Sequence, residues 1–281
     1  MTLNNEVPAA GWADSTPEQA AAHQRIIARF GEELLAAYET KQGIEPLRNQ
    51  IPDMSLAEAY AIQEFQLHKQ QSQGRVLAGR KVGLTSLAMQ KQLGVDEPDF
   101  GYFFKDMVYG PDAEIAAHQF IAPKVEPEFG FVLKSELRGP KVTREEALEA
   151  IGEVYAAIEI IDSRVKNWDI RLVDTVADNA SCGAIAVGAV PLDVTPEALS
   201  DIQASLLING EVKGSGSGSD VMGDPIAPLV WLANTLGNEG VALEAGQLIL
   251  PGSFCGAEPV VAGESATADF GELGSLTIKF V

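Results

Sequence analysis

The stretch Val125-Glu126-Pro127-Glu128-Phe129-Gly130-Phe131-Val132-Leu133 sets two carboxylates one residue apart inside an apolar, strand-like run. Side chains alternate between the faces of a strand, so Glu126 and Glu128 point the same way. In a segment apolar enough to be buried, like charges at that spacing repel and lose solvation unless a cation or a shared proton compensates them. A divalent metal is one resolution. Oxygen-only ligation suits a hard cation such as Mg²⁺, which takes one or two carboxylates and keeps positions for water or substrate oxygens. The competing reading puts both glutamates on the wet face of a half-exposed antiparallel strand. This segment alone leaves both open.

Other residues bear on the choice. Glu159, in Ala156-Ala157-Ile158-Glu159-Ile160-Ile161-Asp162, is a third acid inside an apolar run. Alone it would pair with an Arg or Lys; with Glu126 and Glu128 it completes a three-carboxylate face that needs a cation. Lys81 sits in a strand bracketed by Gly79 and Gly83, which allow close approach of a ligand or another backbone. A partly desolvated lysine there suits proton transfer or grip on a carboxylate, the alternative being a lysine snorkelling from an edge strand. Asp99, in Pro98-Asp99-Phe100-Gly101-Tyr102, reads as part of a turn-like loop. Arg164, Asp174, Asp178, Asn179 and Ser181 fall in a polar stretch with enough hydrogen-bonding groups to line a pocket, though spacing does not define one. His23, His68 and His118 are isolated, and no Ser/His/Asp or Cys/His grouping supports covalent acyl transfer.

The 281 residues carry a formal net charge of −20, which argues against nucleic acid and anionic membrane surfaces as partners. A small anionic substrate would need local positive charge from a metal, Lys or Arg. Hydrophobic residues at 46% and charged residues at 21% suit a chain that buries a full core. Cys182 and Cys255 form neither a metal-ligand spacing nor a disulfide framework. The first residues lack signal-peptide character and no apolar run reaches membrane-spanning length, so a cytoplasmic protein with reduced thiols is expected.

The pattern predicts an arm over residues 1–15, a helix capped by Thr16 running to about Thr40, and a second capped by Ser55 running to about Gln71. These helices are expected to form an N-terminal cap within residues 1–73, with residues 74–281 as a β-rich catalytic domain. Strand-like runs occur at 76–84, 107–109, 125–133, 154–161, 183–190, 203–213, 247–250, 258–261 and 274–281. Helical pieces fall at about 86–93, 143–152 and 224–237. This irregular mix predicts an α+β fold built on a mixed β-sandwich or β-roll. Gly214-Ser-Gly-Ser-Gly-Ser-Asp220 fails both the dinucleotide fingerprint and the phosphate loop, and reads as a strand-to-loop turn.

Several motifs occur together in order: Gly79-Arg-Lys-Val-Gly-Leu-Thr85, Gln92-Leu-Gly-Val-Asp-Glu-Pro-Asp-Phe-Gly101, Val125-Glu-Pro-Glu128, Glu159-Ile-Ile-Asp-Ser-Arg164, Asp174-Thr-Val-Ala-Asp-Asn-Ala-Ser-Cys-Gly183 and Val230-Trp-Leu-Ala-Asn-Thr-Leu236. From about Ile44 to Val281 the chain resembles the 2-keto-4-pentenoate hydratase family of the fumarylacetoacetate hydrolase superfamily. The resemblance implies a mixed β-sandwich roll, Mg²⁺ or Mn²⁺, homo-oligomers, and hydration of 2-hydroxypenta-2,4-dienoate in meta-cleavage breakdown of aromatic compounds. It further implies metal ligation by Glu126, Glu128 and Glu159, acid/base and substrate-contacting roles for Lys81 and Asp99, and pocket contacts from Ser181 and Ser253. Pro251-Gly252-Ser253 departs from the Ser-Gly or Thr-Gly of many hydratases and resembles the steroid-degradation branch that hydrates 2-hydroxyhexa-2,4-dienoate. A related 4-oxalocrotonate decarboxylase, expected to need a second cationic subsite, and a non-catalytic partner subunit are the rival readings.

Overall fold

The computed structural model describes residues 16–86 and 97–281. The arm over residues 1–15 and nearly all of the helix expected near 86–93 lie outside the described residues.

Helix α1 (Pro17–Thr40) begins at a capping box in which Thr16 and Gln19 satisfy each other's backbone amides, with Pro17 preset for the first turn. Helix α2 (Leu56–Ser72) starts from the equivalent Ser55–Glu58 box. Ile27, Phe30, Leu34, Leu47 and Ile62 form an apolar cluster that continues into Val165, Val176 and Ala177. The two helices thus bury their faces against each other and against the segment following the strand that carries Glu159. Gln63 and Gln66 on α2 reach further and donate to the carbonyls of Val176 and Ala177 at 2.9 and 2.7 Å.

The strands are β1 (Leu77–Gly83), β2 (Asp99–Phe104), β3 (Val108–Tyr109), β4 (Glu114–Ile115), β5 (Lys124–Leu133), β6 (Ile151–Ile161), β7 (Cys182–Val187), β8 (Gln203–Ile208), β9 (Glu211–Ser217), β10 (Leu248–Leu250), β11 (Glu258–Pro259), β12 (Ser265–Asp269) and β13 (Ser275–Phe280). They build an eight-stranded sheet in the order β2-β1-β10-β5-β6-β7-β3, with β11 also on β5, and a five-stranded sheet in the order β4-β13-β12-β8-β9. Both sheets are mixed: β1/β10, β3/β7 and β4/β13 pair parallel, and the remaining pairs antiparallel. Helices α3 (Arg144–Ala150), α4 (Leu172–Ala177) and α5 (Ile226–Asn238) complete the α+β architecture.

Strand β5 organises the interior. Val125, Phe129, Phe131 and Leu133 alternate onto one face and are buried in the main core. There Phe129 packs on Phe254 and on Phe270, which follows β12, with ring centroids 4.8 and 5.5 Å apart. The other face carries Lys124, Glu126 and Glu128. Pro127, which has no amide hydrogen to give, sits where the neighbour of β5 is a loop instead of a strand, and its carbonyl accepts from Phe254 N at 3.1 Å.

The structure corrects several expectations. Asp99 does not lie in a turn: it opens the fully buried strand β2. Residues 203–213 are not one strand but parts of a hairpin, because Asn209 and Gly210, at φ +53° and +81°, reverse the chain. Gly214–Ser217 continues the return strand β9, and the turn begins only at Gly218. Strands β4 and β12 were not anticipated. Among the described residues no helix is long and apolar enough to cross a membrane.

Candidate active site

Glu126 and Glu128 share a face of β5, and Glu126 is the direct cross-strand partner of Glu159 on β6. Carboxylate oxygens of Glu126, Glu128 and Glu159 all lie within 4.8 Å of one another. Glu128 and Glu159 are each only 1% exposed, so water does not screen the repulsion. Lys81 comes from β1, two strands from β5 across β10, and its Nζ lies 3.4 Å from Glu159 Oε1. Asp99, on β2, is the cross-strand partner of Gly83. A Cβ built on Gly83 would lie 2.3 Å from Asp99 Oδ1 and 3.0 Å from Lys81 Nζ, so this glycine leaves the space in which the two side chains meet.

The electrostatics follow from burial. Desolvation, and then the neighbouring Glu159 charge, push Glu126 up to about 7. Glu128 is raised well above the usual carboxylate range by burial and by Glu159 and Glu126. Burial also raises Glu159 and Asp99, with Lys81 opposing it in both. For Lys81 burial works against the ammonium, but Glu159 and Asp99 outweigh it and raise its pKa, so the amine is held protonated. Burial raises the Cys182 thiol, which removes it from consideration as a nucleophile.

One ammonium faces four acids. Both oxygens of Glu159, and Oδ1 of Asp99, are buried without a hydrogen-bond partner of good geometry. Orphaned carboxylate oxygens this deep call for a cation or a proton to offset their lost solvation. The donor set consists entirely of oxygens from three converging carboxylates, which fits a hard divalent ion.

Around this cluster, Gly252 N donates to Glu128 Oε2 at 2.8 Å. Gly252 has φ +126°, and a Cβ on it would lie 2.1 Å from Thr85 Oγ1, so glycine is required on both counts. Its role in fixing Glu128 was not apparent from the sequence; the departure at residues 251–253 was the only signal. The Ser253 hydroxyl is engaged with backbone, donating to Cys255 O at 2.7 Å. The Ser181 hydroxyl lies 3.4 Å from that of Thr175. Neither serine hydroxyl is brought to the carboxylates by a hydrogen bond.

The polar stretch from Ser163 to Ser181 acts as a buried brace. Arg164 pairs with Asp178 and stacks on Tyr38, its guanidinium 4.1 Å from the ring centroid. Asp174 pairs with Arg48. Asn179 clasps β2 at both polar atoms of Tyr102, accepting from its amide and donating to its carbonyl, each at 2.8 Å. Asn179, Ala180 and Ser181 all hold positive φ, near +50°, a strained turn kept by these contacts. A cavity of about 1440 Å³, lined by Tyr60, Arg80 and Phe100, lies on the opposite face of β1 and β2, because Arg80 alternates with Lys81 and Phe100 with Asp99 and Gly101.

The sequence profile of the fumarylacetoacetate (FAA) hydrolase C-terminal family matches residues 73–281. The chain is 41% identical over 249 residues to 2-keto-4-pentenoate hydratase of Paraburkholderia xenovorans (strain LB400), covering 89% of this chain and 93% of that one. It is 37% identical over 259 residues to 2-hydroxyhexa-2,4-dienoate hydratase of Comamonas testosteroni, covering 92% and 98%. Among solved structures it is similar to 4-oxalocrotonate decarboxylase from Pseudomonas putida G7 complexed with magnesium and adipate, with a TM-score of 0.88, 30% identity, and coverage of 92% of this chain and 98% of that one. The chain belongs to the fumarylacetoacetate hydrolase family.

Proposed function

We propose that the protein is a divalent-metal-dependent hydro-lyase that adds water to 2-hydroxypenta-2,4-dienoate to give 4-hydroxy-2-oxopentanoate. The observation that carries this reading is the convergence of three carboxylates, those of Glu128 and Glu159 buried and that of Glu126 half-buried, beside a protonated Lys81, in a chain whose relatives include hydratases of 2-hydroxydienoates. Glu126, Glu128 and Glu159 would hold the cation, with Mg²⁺ or Mn²⁺ suiting the all-oxygen set. When bound, the cation supplies Lewis-acid stabilisation of charge developing on the substrate's carboxylate and C2 oxygen.

The protein's own residues do the rest. Tautomerisation removes a proton from the C2 hydroxyl and adds one at C5, and hydration then places hydroxide at C4 and a proton at C3. Lys81 Nζ, kept protonated by Glu159 and Asp99, is the proton donor in this scheme. Asp99 Oδ1, buried and without a hydrogen-bond partner, is the acceptor positioned beside it. Gly252 N and the Asn179 clasp keep Glu128 and β2 in place. Burial of the cluster excludes bulk water, so that the added water enters in an ordered position.

The experiment is to incubate the purified protein with the C5 and C6 hydroxydienoates and with the oxalocrotonate diacid, with and without Mg²⁺. Loss of ultraviolet absorbance is followed together with CO₂ release. Mg²⁺-dependent loss of dienol absorbance without CO₂ supports the hydratase. Rapid CO₂ release from the diacid with little change in either dienol contradicts it.

A further inference from the structure

The face of β1 and β2 that looks away from the carboxylates carries the cavity of about 1440 Å³. Its walls are largely hydrocarbon. Leu56, Tyr60 and Leu67 from α2, Leu236 from α5 and Leu248 from β10 line it, together with Phe100, which stacks on the Tyr60 ring with centroids 4.6 Å apart. The space exceeds what a small organic ligand needs, and walls of this kind favour an apolar body.

One buried charge interrupts that lining. Arg80, in the middle of β1, is 5% exposed and lines the same cavity. Among the described residues its guanidinium forms no ion pair and no hydrogen bond, and Nε is buried without a partner. The groups nearest in charge are engaged elsewhere: Tyr102, directly across the β1–β2 ladder, accepts from Gln70 Nε2 at 3.3 Å, and Glu64 lies 3.8 Å from His68 Nε2. Burial lowers the Arg80 pKa only to about 10, so the guanidinium stays charged at neutral pH. A cation this deep without a counter-charge is costly. A carboxylate answers a guanidinium with two parallel hydrogen bonds, which few other groups can do.

We propose that this cavity is a second ligand site, separate from the carboxylate cluster, that takes an apolar monocarboxylate with its carboxylate on Arg80 and its hydrocarbon body along the α2 and α5 walls. A neutral apolar molecule would fill the space but leave Arg80 unanswered, and a small hydrophilic anion would leave the walls uncovered. Because Arg80 alternates with Lys81 on β1, and Phe100 with Asp99 on β2, such a ligand shares backbone with the carboxylate cluster but none of its side chains. The inference is therefore independent of the metal reading.

The test titrates full-length protein by calorimetry with octanoate, 1-octanol and butanoate, in the presence and absence of Mg²⁺. Octanoate is expected to bind at least about tenfold more tightly than octanol, the worth of one partly desolvated charge-assisted pair. It should also bind at least about tenfold more tightly than butanoate, which buries four methylenes fewer. Arg80→Met, which keeps a long apolar side chain without the charge, should bind octanol as the unaltered protein does and lose the preference for octanoate, whereas Arg80→Lys should keep part of it. Failure of octanoate to bind, equal affinities for octanoate and octanol in the unaltered protein, or a preference for octanoate that survives in R80M would overturn the site. Octanoate binding that requires Mg²⁺ would place the carboxylate at the glutamates and overturn it as well.

Discussion

Glu126 and Glu159 face each other directly across the β5–β6 ladder, Glu159 buried and Glu126 half-buried, where two like charges are costly. Strand pairing itself creates the repulsion, and under the proposed function a divalent ion shared with Glu128 would relieve it. Glu159→Gln removes one charge and one ligand. It should weaken Mn²⁺ binding by at least about tenfold to a hundredfold, measured by isothermal titration, while raising the thermal midpoint of the metal-free protein. Unchanged metal affinity would place the ion elsewhere.

The same repulsion gives the metal-free protein a defined pH dependence. Burial and Glu159 raise the Glu126 carboxyl from its ordinary value of 4.5 to about 7, and burial opposed by Arg164 still leaves Asp178 at about 6. An acid whose pKa is higher in the folded state stabilises the fold fully below its unfolded pKa and loses that contribution as pH rises through the folded one. The metal-free protein should therefore lose stability between about pH 4.5 and 7. Saturating Mg²⁺ should raise the melting temperature more at pH 8 than at pH 5.5, because the ion replaces protons on the glutamates. A rise in melting temperature that is equal at both, or larger at pH 5.5, contradicts this.

Lys81 is held protonated beside Glu159 and Asp99. Lys81→Ala should lower kcat by about two to four orders of magnitude, as for loss of an acid/base group, with Mn²⁺ still bound. Near-normal turnover would reassign Lys81 to charge compensation alone.

Gly252 fixes Glu128 through its amide and adopts a φ that a side chain resists. Gly252→Ala should destabilise the protein by about 1 to 3 kcal/mol in urea denaturation and weaken metal binding. Gly256→Ala, where an added Cβ would meet nothing within 4 Å, is the control. Equal effects of the two substitutions would show that the contact to Glu128 is not what matters.

Alternation along β5 made the shared face of Glu126 and Glu128 legible, since Val125, Phe129, Phe131 and Leu133 must all turn to the core. Asp99 was misread because Pro98 before it resembles turn chemistry, whereas Phe100, Tyr102 and Phe104 alternate as a strand does and settle its conformation. Asn209-Gly210 is a hairpin signal that a continuous apolar reading of 203–213 passed over. Strand β12, Ser265–Asp269, is too small and polar to stand out until it is paired with β8 and β13. The pairing of Glu126 with Glu159, and the approach of Lys81 and Gly252, depend on registers between distant segments that no local pattern encodes.

If Glu126, Glu128, Glu159 and Lys81 form a metal-dependent hydratase site, turnover depends on the ion and on each residue that holds it. The most direct test is the decay of 2-hydroxypenta-2,4-dienoate absorbance with protein stripped of metal, then restored with Mg²⁺, beside Glu159→Gln treated identically. The stripped protein should show no decay above background, recovery with Mg²⁺ should be accompanied by 4-hydroxy-2-oxopentanoate, and the variant should recover little at the same Mg²⁺ concentration. Full activity without metal, or equal recovery in Glu159→Gln, would contradict this dependence.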